Sequence, residues 1–256
     1  MNEAFHNRGG KPKGFSLVEL LVVIAIIALL ISILLPSMRK SRQVAKQVVC
    51  QSNLRVMAQG FEMYRRDYKD RMPPYDNVNG LKCHTFWMSA FDPYHVNDDV
   101  RNCPETVEDP RKVWGTSKIA WGAAGRAGGF ICGHTSSFVF NAWLHGKTTS
   151  HPNSRSSTYW RTLTTVKETY RTPIWGDGSW VDAWPRSTDR WPASLAMGSQ
   201  PGEPSMGRFT VDRHGREIDL VFIDGSARRQ ALDELWTDVV WHRNYRPRPA
   251  PTPYPY

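Results

Sequence analysis

The chain has 256 residues and a mass of 29.3 kDa, room for one ordinary domain with an appendage or for two small domains. Apolar residues make up 40% and charged residues 22%, which excludes wholesale disorder. A mean hydropathy of -0.50 excludes a polytopic membrane protein but leaves room for a single span, and 33 Lys and Arg against 24 Asp and Glu give a formal charge of +9.

One span is present. Phe15 to Leu35 reads FSLVELLVVIAIIALLISILL, with Glu19 as its single charge. Twenty-one residues at about 1.5 Å each make roughly 32 Å of helix, enough to cross a hydrocarbon core of about 30 Å. A secretory signal has a shorter apolar run and a small-residue cleavage site after it, whereas Pro36, Met38 and Arg39 follow here. The segment is therefore expected to stay as an anchor. Arg8, Lys11 and Lys13 precede it against Glu3 alone, which places the amino terminus in the cytoplasm and residues 37–256 outside.

An ionised side chain inside lipid costs around 2.5 to 3.5 kcal/mol, so Glu19 is a functional candidate unless it reaches the interface. Its surroundings, Lys13-Gly14-Phe15-Ser16-Leu17-Val18-Glu19, place a glycine, an aromatic and a glutamate at the opening of the apolar helix. This resembles the type IV prepilin (class III) signal, shared by pilins and by the pseudopilins of type II secretion systems. The resemblance implies cleavage after Gly14 by a prepilin peptidase and N-methylation of Phe15. It also implies pairing of Glu19 with the freed amine of a neighbouring subunit, and a helix-bending role for Pro36. Loss of the leader (residues 1–14) would lower the formal charge from +9 to about +7, since Arg8, Lys11, Lys13 and Glu3 go with it.

Beyond Pro36, Val44, Val48, Leu54, Met57, Phe61, Tyr64 and Tyr68 recur mostly at three- and four-residue steps, with Arg42, Lys46, Arg55, Arg65 and Arg66 between them. The pattern predicts an amphipathic continuation of the helix over 37–71, ending before Met72-Pro73-Pro74. From there to 245 the texture is that of a loop-rich head. Phe138 to Leu144 and Pro173 to Asp177 read as strands. Ile218 to Ile223 and Ser226 to Ala231 flank Asp224-Gly225, the strongest short hairpin signal. Asp233 to Trp241 reads as a short helix capped by Asp233, residues 122–129 and 146–158 as loops, and the proline-rich tail 246–256 as extended or disordered. The eleven tryptophans are better read as filling for a small core than as a groove lining.

His214, nine residues, then Asp224-Gly225 resembles the H-x9-DG carboxy-terminal segment of many prepilin-like proteins, over about 209–243. Cys103-Pro104, Phe140-Asn141, Thr172-Pro173 and Gly176-Asp177 resemble further fixed points of that family. An imidazole and a carboxylate can form an acid–base pair. Turn and strand-entry roles are the plainer reading, because an extended strand separates the two by roughly 30 Å.

Four cysteines, Cys50, Cys83, Cys103 and Cys132, lie beyond the span, where disulfides are permitted in three connectivities. The family fixed points favour Cys50 with Cys103, leaving Cys83 to face Cys132. The spacings are unlike CxxC and the eight histidines form no HxxxH pair, so no zinc site is expected. Major pseudopilins typically hold calcium in a carboxy-terminal loop, which makes Asp177, Asp182 and Asp189 weak calcium candidates, although no EF-hand spacing is present. Much of the positive charge is spread along the 39–71 helix, where solvated faces and anionic lipid head groups account for it, and no nucleic-acid motif accompanies it, so no nucleic-acid partner is expected.

The sequence thus leads to an α+β, pilin-like protein: a long amino-terminal helix, half of it transmembrane, and an antiparallel β-sheet head. The resemblance implies a non-enzymatic, single-pass inner-membrane subunit with a periplasmic head, in a type II secretion system or related fibre. Its expected partners are the prepilin peptidase and N-methyltransferase, other pilin-like subunits, an inner-membrane assembly platform and membrane lipid. The rivals are a type IV minor pilin for adhesion or DNA uptake, and a tethered binding or enzymatic module on a pilin-type anchor.

Overall fold

The computed structural model describes residues 14–73, 87–122, 134–146, 157–199 and 202–254. The chain divides into two compact units, residues 1–44 and 45–256. Helix α1 (Leu17–Asp67) contributes to both.

In the first unit every large apolar side chain from Phe15 to Leu35 is exposed. A water-facing stripe of that extent is not a stable surface for a soluble protein, and the helix is long and apolar enough to cross a membrane. Pro36 lies inside the helix without ending it. Its missing N–H removes one ladder bond. Around it Ser32, Ser37 and Ser41 each donate a hydroxyl to a carbonyl of the preceding turn, at 2.7, 2.9 and 3.0 Å.

In the second unit, α1 buries Cys50, Leu54, Met57, Ala58, Phe61 and Tyr64, a stripe at helical spacing. Val44, Val48 and Tyr68 fall outside it at 58%, 60% and 50% exposure, so the buried face is shorter than the sequence pattern suggests. The helix also stops four residues before the expected end. Lys69 and Asp70 adopt φ of 52° and 60°, and the Asp70 N–H reaches back to the Arg65 carbonyl at 2.8 Å, closing the helix and turning the chain.

After a five-residue helix α2 (Trp87–Phe91), five strands form one sheet: β1 (Phe138–Asn141), β2 (Pro173–Asp177), β3 (Asp182–Ala183), β4 (Glu217–Phe222) and β5 (Ala227–Ala231). Their order is β3-β1-β2-β4-β5. Neighbours are antiparallel except β3, which pairs parallel with β1. The expected all-antiparallel sheet is therefore mixed, because a two-residue strand shortly after β2 joins the far edge.

The run from Phe138 is strand only to Asn141. That side chain accepts the Trp143 N–H and donates to the carbonyls of Pro173 and Trp241, turning Ala142–Leu144 into a 3-10 turn. Near the end, Asp233–Trp236 is a single 3-10 turn rather than a helix to Trp241. Leu232, not Asp233, holds the cap position there, and the Glu234 carboxylate accepts from Gln230 and from the Ala231 N–H.

Six tryptophans (Trp87, Trp121, Trp143, Trp175, Trp236 and Trp241) are fully buried. Trp87, Trp121, Trp143 and Trp241 each donate the indole N–H to a backbone carbonyl, which removes the main cost of burying an indole. Phe61 of α1 meets Trp175 of β2 edge-on at 5.8 Å, joining helix to sheet. The tail is extended but docked: Trp191 donates to the Pro251 carbonyl at 2.6 Å, and the Tyr254 ring lies 4.3 Å from that of Trp191. The expected loops at 122–129 and 146–158 lie mostly outside the described residues, as do Cys83 and Cys132.

Candidate functional site

Two groupings of chemistry-bearing residues stand out, one in each unit. The first is the start of α1. Gly14 and Phe15 precede the helix and are exposed. Ser16 and Glu19 form a capping box: the Ser16 N–H donates to Glu19 Oε2 at 2.8 Å, and the Glu19 N–H donates to Ser16 Oγ at 3.2 Å. The Ser-x-x-Glu spacing that signals this was legible in the sequence. It gives Glu19 a second task beside the one its charge suggested, since it helps fix the point at which the helix begins. Pro36 sits five turns further on, in the same unit.

The second grouping lies within the head. Cys50 comes from α1, Cys103 from the loop after α2, Asp177 from the end of β2, and His214 from the approach to β4. All four are buried, and one donor atom from each lies within 4.8 Å of the others. Cys103 Sγ is 3.5 Å from His214 Nε2, Cys50 Sγ is 3.8 Å from Asp177 Oδ1, and His214 Nε2 is 3.2 Å from Asp177 Oδ2. Both sulfurs are free thiols.

Most of the polar groups around them are already hydrogen-bonded. Arg213, itself buried, donates to Asp177 Oδ1 at 2.7 Å and to the carbonyls of Thr116, Ser117, Ser137 and Gly178. The Asp219 N–H donates to Asp177 Oδ2 at 2.9 Å, and Gln51 donates to Asp219 Oδ1 at 2.8 Å. Asp219 Oδ2 is buried, 3.6 Å from the His214 ring nitrogen and without a hydrogen bond.

Electrostatics follow from this crowding. Burial opposes ionisation of Asp177, but Arg213 and His214 outweigh it and hold its pKa at about 2. Burial likewise opposes the imidazolium of His214, yet Asp177 and Cys103 raise it to about 10. The hydrogen bond from Cys50 is the main cause that lowers Cys103 to about 6, whereas burial pushes Cys50 well up.

The remaining sequence candidates are dispersed. Asp182 is buried beside His145 and Arg208, at 3.8 and 3.5 Å, and Asp189 accepts the backbone N–H groups of Arg186 and Met206. Among the described residues the three aspartates proposed for calcium do not converge: Asp177 faces Arg213 and the thiols instead. His214 and Asp224 stand at opposite ends of β4. Asp224 is exposed in the β4–β5 turn, where Oδ1 accepts from the Ser226 N–H at 3.0 Å. That separation removes the acid–base pair and leaves Asp224-Gly225 the turn role read from the sequence.

An apolar anchoring helix capped by a serine–glutamate box, immediately after a glycine and an aromatic, together with a mixed α+β head, defines a pilin-type protein. The family model of the prokaryotic N-terminal methylation motif matches residues 10–35. Competence protein ComGC of Halalkalibacterium halodurans is 34% identical over 82 residues, 32% of this chain and 74% of that protein. The chain belongs to this family of prepilin-like proteins. No solved structure matches it.

Proposed function

We propose that this structural, pilin-like protein is cut between Gly14 and Phe15, methylated at Phe15, and assembled through its amino-terminal helix into a fibre of the type II secretion kind. The observation that carries the reading is the matched motif at 10–35, with its glycine and aromatic exposed just ahead of a capped, uncovered apolar helix. The basic residues Arg8, Lys11 and Lys13 support an orientation with the amino terminus in the cytoplasm and the head beyond the inner membrane. In lipid, the Glu19 carboxylate is best neutralised by an amine, and the new terminus of a neighbouring Phe15 supplies one at matching depth. Partners on this reading are the prepilin peptidase and methyltransferase, sister subunits and an assembly platform in the membrane.

Intact-mass analysis of membrane-extracted protein tests the processing step. The mature chain is expected to begin at Phe15 and to be one methyl group heavier than its sequence. A working chain still carrying residues 1–14 would refute the reading. The similarity to a competence protein favours a second assignment, a fibre for DNA uptake. Deletion distinguishes them: loss of transformation with intact secretion selects the competence fibre, and the converse selects secretion.

A further inference from the structure

We propose that Cys50, Cys103, Asp177 and His214 form a closed, structural site for a single zinc ion. This inference concerns the interior of the head and does not depend on how the helix assembles.

Three separations within the cluster are close to those that ligands keep around one ion, and all four donors lie within 4.8 Å of one another. A tetrahedral centre with Zn–S of about 2.3 Å and Zn–N and Zn–O of about 2.0–2.1 Å places sulfur about 3.6 Å from nitrogen or oxygen, and nitrogen about 3.4 Å from oxygen. Set against these, Cys103 Sγ is 3.5 Å from His214 Nε2, Cys50 Sγ is 3.8 Å from Asp177 Oδ1 and His214 Nε2 is 3.2 Å from Asp177 Oδ2, so the carboxylate turns one oxygen to the thiol and the other to the imidazole, and either can reach the ion. Two soft thiolates, an imidazole and one carboxylate are donors that zinc accepts, and they exclude calcium and magnesium, which require oxygen.

Charge closes as well. Two thiolates and the Asp177 carboxylate carry three negative charges, the ion supplies two positive charges and the buried guanidinium of Arg213 the third, while the neighbouring Asp219 carboxyl faces Arg229 at 3.8 Å. Binding releases the thiol protons and the imidazolium proton to solvent, with no redox partner needed. Outer contacts already orient the carboxylate, with Arg213 on one oxygen and the Asp219 N–H on the other. Because all four ligands are protein side chains and all are buried, no open position remains for substrate. The ion would instead tie α1, the Cys103 loop, β2 and the approach to β4 together. A Cys50–Cys103 disulfide, the pairing suggested by the family fixed points, would consume two of the four donors, so the disulfide and the zinc site exclude each other.

The test uses the full chain purified in mild detergent, with zinc measured by elemental analysis and Cys50 and Cys103 followed by alkylation and mass spectrometry. One zinc per chain is expected to survive dialysis, with both thiols protected until a strong chelator removes the ion. Cobalt exchanged into the site should show tetrahedral ligand-field bands and a thiolate charge-transfer band that weakens in Cys103→Ser. Should Cys103→Ser fail to fold, Asp177→Asn, which keeps the shape of the side chain, is expected to retain cobalt with shifted bands and to lose zinc more readily to chelator. A metal-free chain, whether the two sulfurs are joined or free, overturns the proposal. So does zinc that remains in the double variant Cys103→Ser, His214→Ala.

Discussion

At the scale of single residues, Glu19 carries two roles that a simple truncation would confuse. Its carboxylate accepts the Ser16 N–H and so completes the capping box of α1, satisfying a donor the helix itself leaves free. On the proposed reading the same group also neutralises the amine of a neighbouring Phe15. Glu19→Ala removes both, whereas Glu19→Gln keeps an oxygen that can accept the Ser16 N–H and discards only the charge. We therefore expect both variants to insert and to fold the head normally. Both should drop out of sheared fibres by at least about tenfold, the equivalent of losing roughly 1.4 kcal/mol of pairing. Incorporation of Glu19→Gln at the wild-type level, measured by quantitative immunoblot, would leave Glu19 a cap and nothing more.

At the scale of elements, the part of α1 beyond Val44 is held by small features that periodicity cannot display. Gly60 is the clearest. A Cβ there would lie 2.5 Å from Val96 Cγ2 and 2.6 Å from the Tyr94 carbonyl oxygen, so the segment after α2 packs directly on the helix backbone. Alanine is the better helix former by about 1 kcal/mol, but overpacking a close contact typically costs about 1–3 kcal/mol. The contact should win, because one of the two obstructing atoms is backbone and cannot swing aside. Gly60→Ala is expected to lower the thermal midpoint, and a rise would show that the segment around Val96 yields freely. The sequence did reveal the elements whose signals are local. The β4–Asp224-Gly225–β5 hairpin, β2 and the core stripe of Leu54, Met57, Phe61 and Tyr64 were all legible. It did not reveal β3, whose two residues carry no periodicity, or the halt at Asp67, which follows from positive φ at Lys69 and Asp70.

At the scale of the whole molecule, the amino-terminal site was readable because its residues are consecutive, and the buried cluster was not, because its residues are far apart. Cys50, Cys103, Asp177 and His214 are separated by 53, 74 and 37 positions (50 to 103, 103 to 177, 177 to 214), so no ligand spacing exists to recognise. Each was singled out separately, and only the fold brings them to one point. All four belong to the second unit, together with the whole sheet and the tryptophan core. The side chains of residues 15–44 are exposed, and the second unit has a core of its own. A chain starting at Ala45 is accordingly expected to fold without detergent, to show a single cooperative thermal transition, and to keep the near-ultraviolet circular dichroism of its packed tryptophans. The first turns of the shortened helix should fray, since residues 45–49 have no cap and little burial. Cys50 marks the inner limit of tolerable fraying, because it is fully buried against Asp177. Loss of the tryptophan signal with secondary structure retained would mean that the anchor segment is required for tertiary packing, and the division of the molecule at Val44 would have to be abandoned.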